Sequence, residues 1–304
     1  MRLSELITAV RHRVNDTGSK YHTDKDIVFW INRHARAITR KRVEADTSYA
    51  NQKLDILASN TRMVEQIDNE TYRYYLPSWV YRVRRIAQLS GNDILRDLQR
   101  TEWGFSSNRS IDIRTKSALD IRILAAKVPT LLRPVVVASN SASTSELRVA
   151  VDGGAGYTFE TEEGCMLGAQ FEVTTVVSGR DPRGGPSVVT SQQLQVIGSI
   201  PTWVMTVKPA FPALPVAADT MEMHCEIEDI HLTYLIELVA HDLFQRVQNV
   251  SAMQLCRPQL EKLERQFAVG LQPRTDGMLT TINQGEEYLV DDDPNVDPYW
   301  YGWR

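Results

Sequence analysis

Cysteine is scarce in this chain, long apolar runs are missing, and net charge is small. Three cysteines stand in 304 residues, Cys165, Cys225 and Cys256. They are odd in number and far apart, which argues against a disulfide framework and against a zinc site with closely spaced ligand pairs. A reducing site of synthesis fits that usage. No stretch approaches the ~20 apolar residues that cross a bilayer, so no membrane partner is expected. The opening MRLSELITAVRHRVND interleaves charges with its apolar positions, unlike a signal peptide. The composition, 42% hydrophobic and 24% charged, is ordinary for a globular protein. A prior of ~150 residues per domain suggests about two domains.

Catalytic signatures are equally sparse. Gly153, Gly154 and Gly156 neither form G-x-G-x-x-G nor lead into a helix, and they read as a hairpin loop, not a phosphate cradle. Gly179 to Pro186 reads as a strand-connecting loop. Met221, Met223 and Cys225 alternate with Glu222, His224 and Glu226, the mark of a half-buried strand, not a ligand set. His231 and His241 are ten apart on one helix, not the four of a paired zinc site. His34 falls on an apolar stripe and reads as a packed or interface residue. No local Ser/His/Asp, Cys/His or paired-carboxylate signature stands out, though such sites can be dispersed in sequence. The expectation is no catalytic residue, no metal, no cofactor and no enzyme activity.

The elements are clearer. Leu3, Leu6, Ile7, Val10 and Val14 form one helical stripe, which Asn15, Asp16 and Gly18 end. Thr23 and Asp26 make a T-x-x-D capping box ahead of a second stripe, Ile27, Trp30, Ile31 and Ile38. The two helices read as a hairpin. Tyr72–Leu76, Val80–Leu89, Ile111–Ile113 and Ile121–Leu124 are strand candidates. From about 129 to 201 the pattern is almost purely β. Leu147, Val149 and Val151 pair with Tyr157 and Phe159 as a hairpin across the glycine loop, and further strands run at Phe171–Val177, Ser187–Thr190, Leu194–Ile197 and Trp203–Val207. Helices return near Asp229 with Leu232, Leu235, Ile236, Val239 and Leu243, and again after Ser251, where Pro258 sits in the first turn or kinks the helix and Gly270 stops it. The expected fold class is α+β: a helical bundle (1–128 and 202–272, with associated short strands), an inserted all-β sandwich or small barrel (129–201), and an extended C-terminal arm (273–304).

Two charge features remain. Arg33, Arg36, Arg40, Lys41 and Arg42 make a basic end to the second helix, and Arg82, Arg84 and Arg85 add to a basic region beyond it. A solvated helix C-terminus, nucleic acid, or an acidic partner would each account for them. The other feature is the tail. Residues 275–304 hold seven acids and one base, or −6, so the first 274 residues, with 33 bases and 31 acids, carry +2 within a total of −4. Trp300 and Trp303 lie in the last five residues, beside Tyr299 and Tyr301. Disordered tails are normally poor in aromatics, and aromatic residues are the usual interface anchors. A segment like this docks on a surface, either its own body or a partner.

These residues resemble the head-to-tail adaptor (connector) proteins of tailed bacteriophages. The opening LSELITAVRHRVNDTG…YHTDKDIVFWINRHARAI looks like that family's first helix, N-D turn and second helix. RYYLPSWVYRVRRIAQLSG is similar to its "LP" strand and the strand that follows, and the segment from about Trp203 to Leu243 resembles the return into the final helices. The likeness covers roughly the first 100 residues and 205–270; residues 129–201 fall outside the family's minimal plan. It implies a structural virion protein at the head-tail junction, assembled in the host bacterial cytoplasm. Such a protein forms a homo-oligomeric ring, usually of twelve subunits, beneath the portal protein, with the tail or nozzle protein on its far side and genomic double-stranded DNA passing through without sequence specificity. It also implies that Tyr288, Leu289, Tyr299, Trp300, Tyr301 and Trp303 anchor the arm on the portal, and that Arg33, Arg36, Arg40, Lys41 and Arg42 line the channel or a subunit interface. The alternative is another tail or nozzle subunit of the virion that docks through its β domain.

Overall fold

A computed structural model describes residues 1–45, 50–107, 109–151, 165–177 and 181–270. It resolves into two compact units, Met1–Thr47 with Pro129–Pro273, and Ser48–Val128.

The first unit begins with α1 (Leu3–Val14) and α2 (Asp24–Ala45). Leu3, Leu6 and Val10 are buried along α1, and Ile27, Ile31, Ile38 and Val43 along α2, the 3–4 spacing of one apolar face. The loop between them is built on charge. Asn15 ends α1 in the left-handed region at φ 56°. The buried Asp16 carboxylate then accepts the backbone N–H groups of Lys20 (2.7 Å), Tyr21 (3.2 Å) and His22 (2.9 Å). Arg11, also buried, donates to the carbonyls of Asp16 and His22 and to Asp24. Burial alone would raise the Asp16 pKa, but the N–H groups of His22, Lys20 and Tyr21, with Arg11 beside them, outweigh it and hold the group low. The expected capping box is present: Asp26 accepts from the Thr23 N–H (3.1 Å) and hydroxyl (2.7 Å), and the Asp26 N–H donates to the Thr23 hydroxyl (3.2 Å).

The same unit continues into six strands, β9 (Pro134–Val136), β10 (Glu146–Ala150), β11 (Gln170–Thr175), β12 (Ser187–Ile197), β13 (Ile200–Lys208) and β14 (Thr220–Met223). They form one antiparallel sheet in the order β10-β13-β12-β11-β14-β9. A bridge between Val137 and Val149, with the Ala138 N–H donating to the Arg148 carbonyl at 2.9 Å, joins the two end strands and closes the sheet into a barrel. Val149, Phe171, Trp203, Met205 and Met221 are buried, as alternation requires of inward positions. The chain then enters α3 (Asp229–Arg246) and α4 (Val250–Gly270). Helices α1, α2 and α4 all lie against α3.

The second unit holds β1 (Asn51–Ile56) through β8 (Ile121–Lys127): β2 is Val64–Asp68, β3 Thr71–Tyr75, β4 Val80–Ser90, β5 Asp93–Asp97, β6 Trp103–Ser107 and β7 Ser110–Arg114. They make two four-stranded antiparallel sheets, β1-β8-β4-β5 and β2-β3-β7-β6. The buried Tyr74 of β3 ties them together: its hydroxyl donates to the Leu119 carbonyl (2.9 Å) and accepts the Leu119 N–H (2.8 Å) just before β8. β1 and β8 pair along their full length, Asn51 opposite Ala126, and the Lys127 N–H donates to the Ala50 carbonyl at 3.0 Å.

This corrects the expected fold class. Strand outweighs helix, with three antiparallel sheets and four helices among the described residues; the chain is not a helical bundle carrying an inserted β domain. Strands β9–β12 share their barrel with β13 and β14 and belong with the helices. Residues 48–128, read as strands accessory to a helical core, make a unit of their own. The reason is physical: β2 and β5 are almost wholly exposed, so they lack the apolar alternation that announces a strand, and their pairing is long-range. The arm at 273–304 and the second half of the hairpin expected across Gly153–Gly156 lie outside the described residues.

Asp26 ties the start of α2 to the end of α3. Hydrogen bonds from the Thr23 side chain and then from Arg246 (2.5 Å) lower its pKa from 3.8 to about 2. A depressed carboxylate stabilises the fold above its unfolded pKa, and that stability is lost as pH falls through the folded value. Asp26→Asn should therefore lower stability by about 1 kcal/mol at pH 7 and by clearly less near pH 2. Urea titrations at the two pH values read this directly, and an equal loss at both would show that the ionised form is not the stabilising one.

Candidate functional site

The five basic residues of α2 do not share one task. Buried positions of this helix repeat at Ile27, Ile31, Ala35 and Ile38, which leaves Lys25, Phe29, Arg33, Ala37 and Lys41 as an exposed stripe at intervals of four. Arg33 lies on that stripe with its guanidinium 4.9 Å from the Trp30 ring centre, a cation–π contact. Phe29, 60% exposed, meets Trp30 edge-on at 5.3 Å. Arg36 and Arg40 are half-buried on an adjoining face. Lys41 reaches Glu264 of α4 at 3.7 Å with both side chains about half exposed. Arg42 is mostly buried and ion-paired at 2.6 Å with Glu228, the residue that caps the start of α3. Arg42 thus serves the packing of α2 on α3. Arg33, with Phe29 and Trp30 beside it, presents an aromatic and cationic surface.

Arg82, Arg84 and Arg85 lie on β4 of the second unit. Arg82 and Arg84 are buried, and Arg85 makes a two-pronged pair with Asp97 (2.8 and 2.6 Å). The anchors Tyr288, Leu289, Tyr299, Trp300, Tyr301 and Trp303 lie outside the described residues.

The histidines take separate partners. His224 Nε2 is 2.8 Å from Glu172 across the barrel wall. His231 sets its ring edge-on against Phe267 (4.9 Å, 84°), and burial, with Arg42 adding to it, pushes its pKa down. His34 Nε2 is 2.9 Å from Asp242 Oδ2, with His241 Nδ1 3.5 Å from the other oxygen of the same carboxylate. Trp30 stacks on His34 at 6.1 Å. Burial opposes the charge on Asp242, but the bonds from His34 and His241 prevail and its pKa is lowered. Among the described residues no group of three His, Cys, Asp or Glu side chains is placed to hold a metal ion, and no helix is long and apolar enough to cross a membrane.

Sequence reasoning missed one polar cluster among the helices. Arg13, next to last in α1, donates through Nε to Glu237 of α3 at 2.6 Å and through Nη2 to Cys256 Sγ of α4 at 3.0 Å. Glu237 is 3% exposed and Cys256 1%. The bond to Glu237 raises the Arg13 pKa, while burial first of all pushes the Cys256 thiol up. A protonated, buried thiol is a poor nucleophile, and the cluster joins three helices. The available signal was a single glutamate inside the broad apolar face of α3.

Comparison with family models, with curated proteins and with solved structures finds no match for this chain.

Two measurements check this account. Glu237→Ala removes the buried carboxylate that Arg13, itself about a third exposed, bonds to, and should cost about 1.5 kcal/mol, read by denaturant unfolding; a loss under ~0.5 kcal/mol, typical of a surface site, would contradict it. Thiol titration should find none of the three cysteines, all free and buried, reactive in the native protein and all three reactive after denaturation.

Proposed function

We propose that this chain is a structural virion protein, a head-to-tail adaptor that joins a capsid portal to the tail and carries no catalysis. The observation that bears most weight is the tail: net −6 over residues 275–304, with Tyr299, Trp300, Tyr301 and Trp303 among the final six residues. An acidic segment rich in large rings matches a docking arm that orders on a basic, partly apolar surface, as a portal offers. Tyr288, Leu289, Tyr299, Trp300, Tyr301 and Trp303 are its anchors. The exposed side of α2 fits the second part of the reading: in it the exposed Arg33, with Arg36 and Arg40 on the adjoining face, lines the DNA channel. Leu255 and Val269 stand 79% and 65% exposed on α4 and suit contacts between subunits of a homo-oligomeric ring, twelve by analogy with such adaptors.

A second reading, a tail or nozzle subunit docked through the β segment, draws on the hairpin of β12 and β13, whose outer half is exposed.

Deleting residues 286–304 should abolish binding to purified portal rings while cooperative unfolding of the remaining chain persists. Undiminished portal binding by the truncated chain would defeat the adaptor reading. Changing Arg33, Arg36 and Arg40 to Gln should reduce DNA retention in assembled particles more than ring assembly, and the reverse order of effects would make them interface cations.

A further inference from the structure

The hairpin of β12 and β13 runs out past the barrel. Its two turn residues, Gly198 and Ser199, have φ of 56° and 70°, as a type I′ turn requires, so Ile197 and Ile200 form the closing hydrogen-bonded pair. Bonded and non-bonded pairs then alternate along an antiparallel ladder. Gln195 with Thr202 and Gln193 with Val204 exchange bonds inside the hairpin, while Leu194, opposite Trp203, and Val196, opposite Pro201, turn their N–H and C=O groups outward.

The β13 side of the hairpin is occupied: β10 pairs with residues 202–206, and the Val151 N–H donates to the Pro201 carbonyl at 2.9 Å. The β12 side is covered only at its base. β11 pairs with Ser187 and Val188, Gly168 and Ala169 exchange bonds with Val189, and the Gln192 side chain accepts the Met166 N–H at 2.6 Å. Among the described residues nothing pairs with the backbone of Leu194 or Val196. Proteins normally guard such an edge with charge or proline, yet Ser187 to Ile200 contains neither. Leu194, Val196 and Ile200 are 40%, 72% and 49% exposed.

We propose that two copies of this chain pair antiparallel through this edge of β12, the two hairpins making one four-stranded sheet. The geometry selects the register. Leu194 and Val196 are the open positions, and satisfying both on each copy sets Leu194 opposite Val196 of the other, with Gln195 opposite itself. The chemistry selects the occupant: an acidic or basic strand finds no counter-charge over these fourteen residues, whereas the neutral strand meets its own copy without repulsion and matches two apolar pairs on one face. This contact is two-fold, unlike the head-to-tail contacts that close a ring, and it does not depend on the adaptor reading.

The test uses the full chain. Gln195→Cys places two thiols at a non-hydrogen-bonded pair, about 4.5 Å apart at Cα, within disulfide reach. Mild oxidation should yield a covalent dimer for Gln195→Cys and little for Gln193→Cys, which would face Ile197 of the other copy. In sedimentation equilibrium, the double variant Leu194→Lys/Val196→Lys, which sets like charges opposite each other, should weaken self-association at least tenfold while the chain still unfolds cooperatively. A monomeric wild-type chain, association indifferent to the two lysines, or equal cross-linking at 193 and 195 would each overturn the proposal.

Discussion

The helical part of this molecule is tied together by an ion pair on a buried carboxylate. Arg13 and Glu237 are 224 residues apart in sequence and 2.6 Å apart in space, and Cys256 completes the contact from a third helix. Taking the Glu237 carboxylate out of water is costly, and only good geometry with further hydrogen bonds offsets it. The pair therefore tolerates few alternative packings of α1 on α3, whereas apolar stripes alone would allow several. Around α3, Asp26 with Arg246, Asp242 with His34, and Glu228 with Arg42 add polar contacts to α2 at both ends and the middle of the helix. Helices α1 and α2 are thus fastened to α3 by charge as well as by burial.

That arrangement changes how the basic residues are to be understood. Arg11, Arg13 and Arg42 hold loops and helices together, and Arg85 ties two strands. A count of cations along α2 suggests a continuous basic face; the contacts divide it into a structural portion near the C-terminal end and an outward portion around Arg33, where Phe29 and Trp30 add apolar surface.

What the sequence disclosed followed from the range of each interaction. Helix periodicity is local, and α1, the Thr23–Asp26 box and α2 stand where the apolar stripes put them, as does α3 from Asp229. Pro258 lies within α4, and Gly270 is its last residue. Individual strands such as β4, β7 and β13 were equally visible from their β-branched and aromatic residues. Their partners were not. β1 with β8 and β9 with β14 join segments some seventy and more residues apart, and no local pattern records such a pairing. Strand density placed the β region at 129–201, whereas side-chain burial and pairing put a whole β unit at 48–128. The polar cluster of Arg13, Glu237 and Cys256 escaped for the same reason: each residue is unremarkable in its own helix.

The pairing of β1 with β8 has a consequence for how the chain can fold. Residues 48–128 interrupt the other unit, and as a disordered loop they would have to be closed before α2 and β9 could belong to one body. Once folded, this segment brings its own ends together, since Ala50 and Lys127 share a hydrogen bond. A loop of some eighty residues then behaves as a connection of about four, and at about 0.6 kcal/mol per doubling of length the saving in closure entropy is roughly 2–3 kcal/mol. Folding of the inserted unit first would therefore ease assembly of the barrel and its helices.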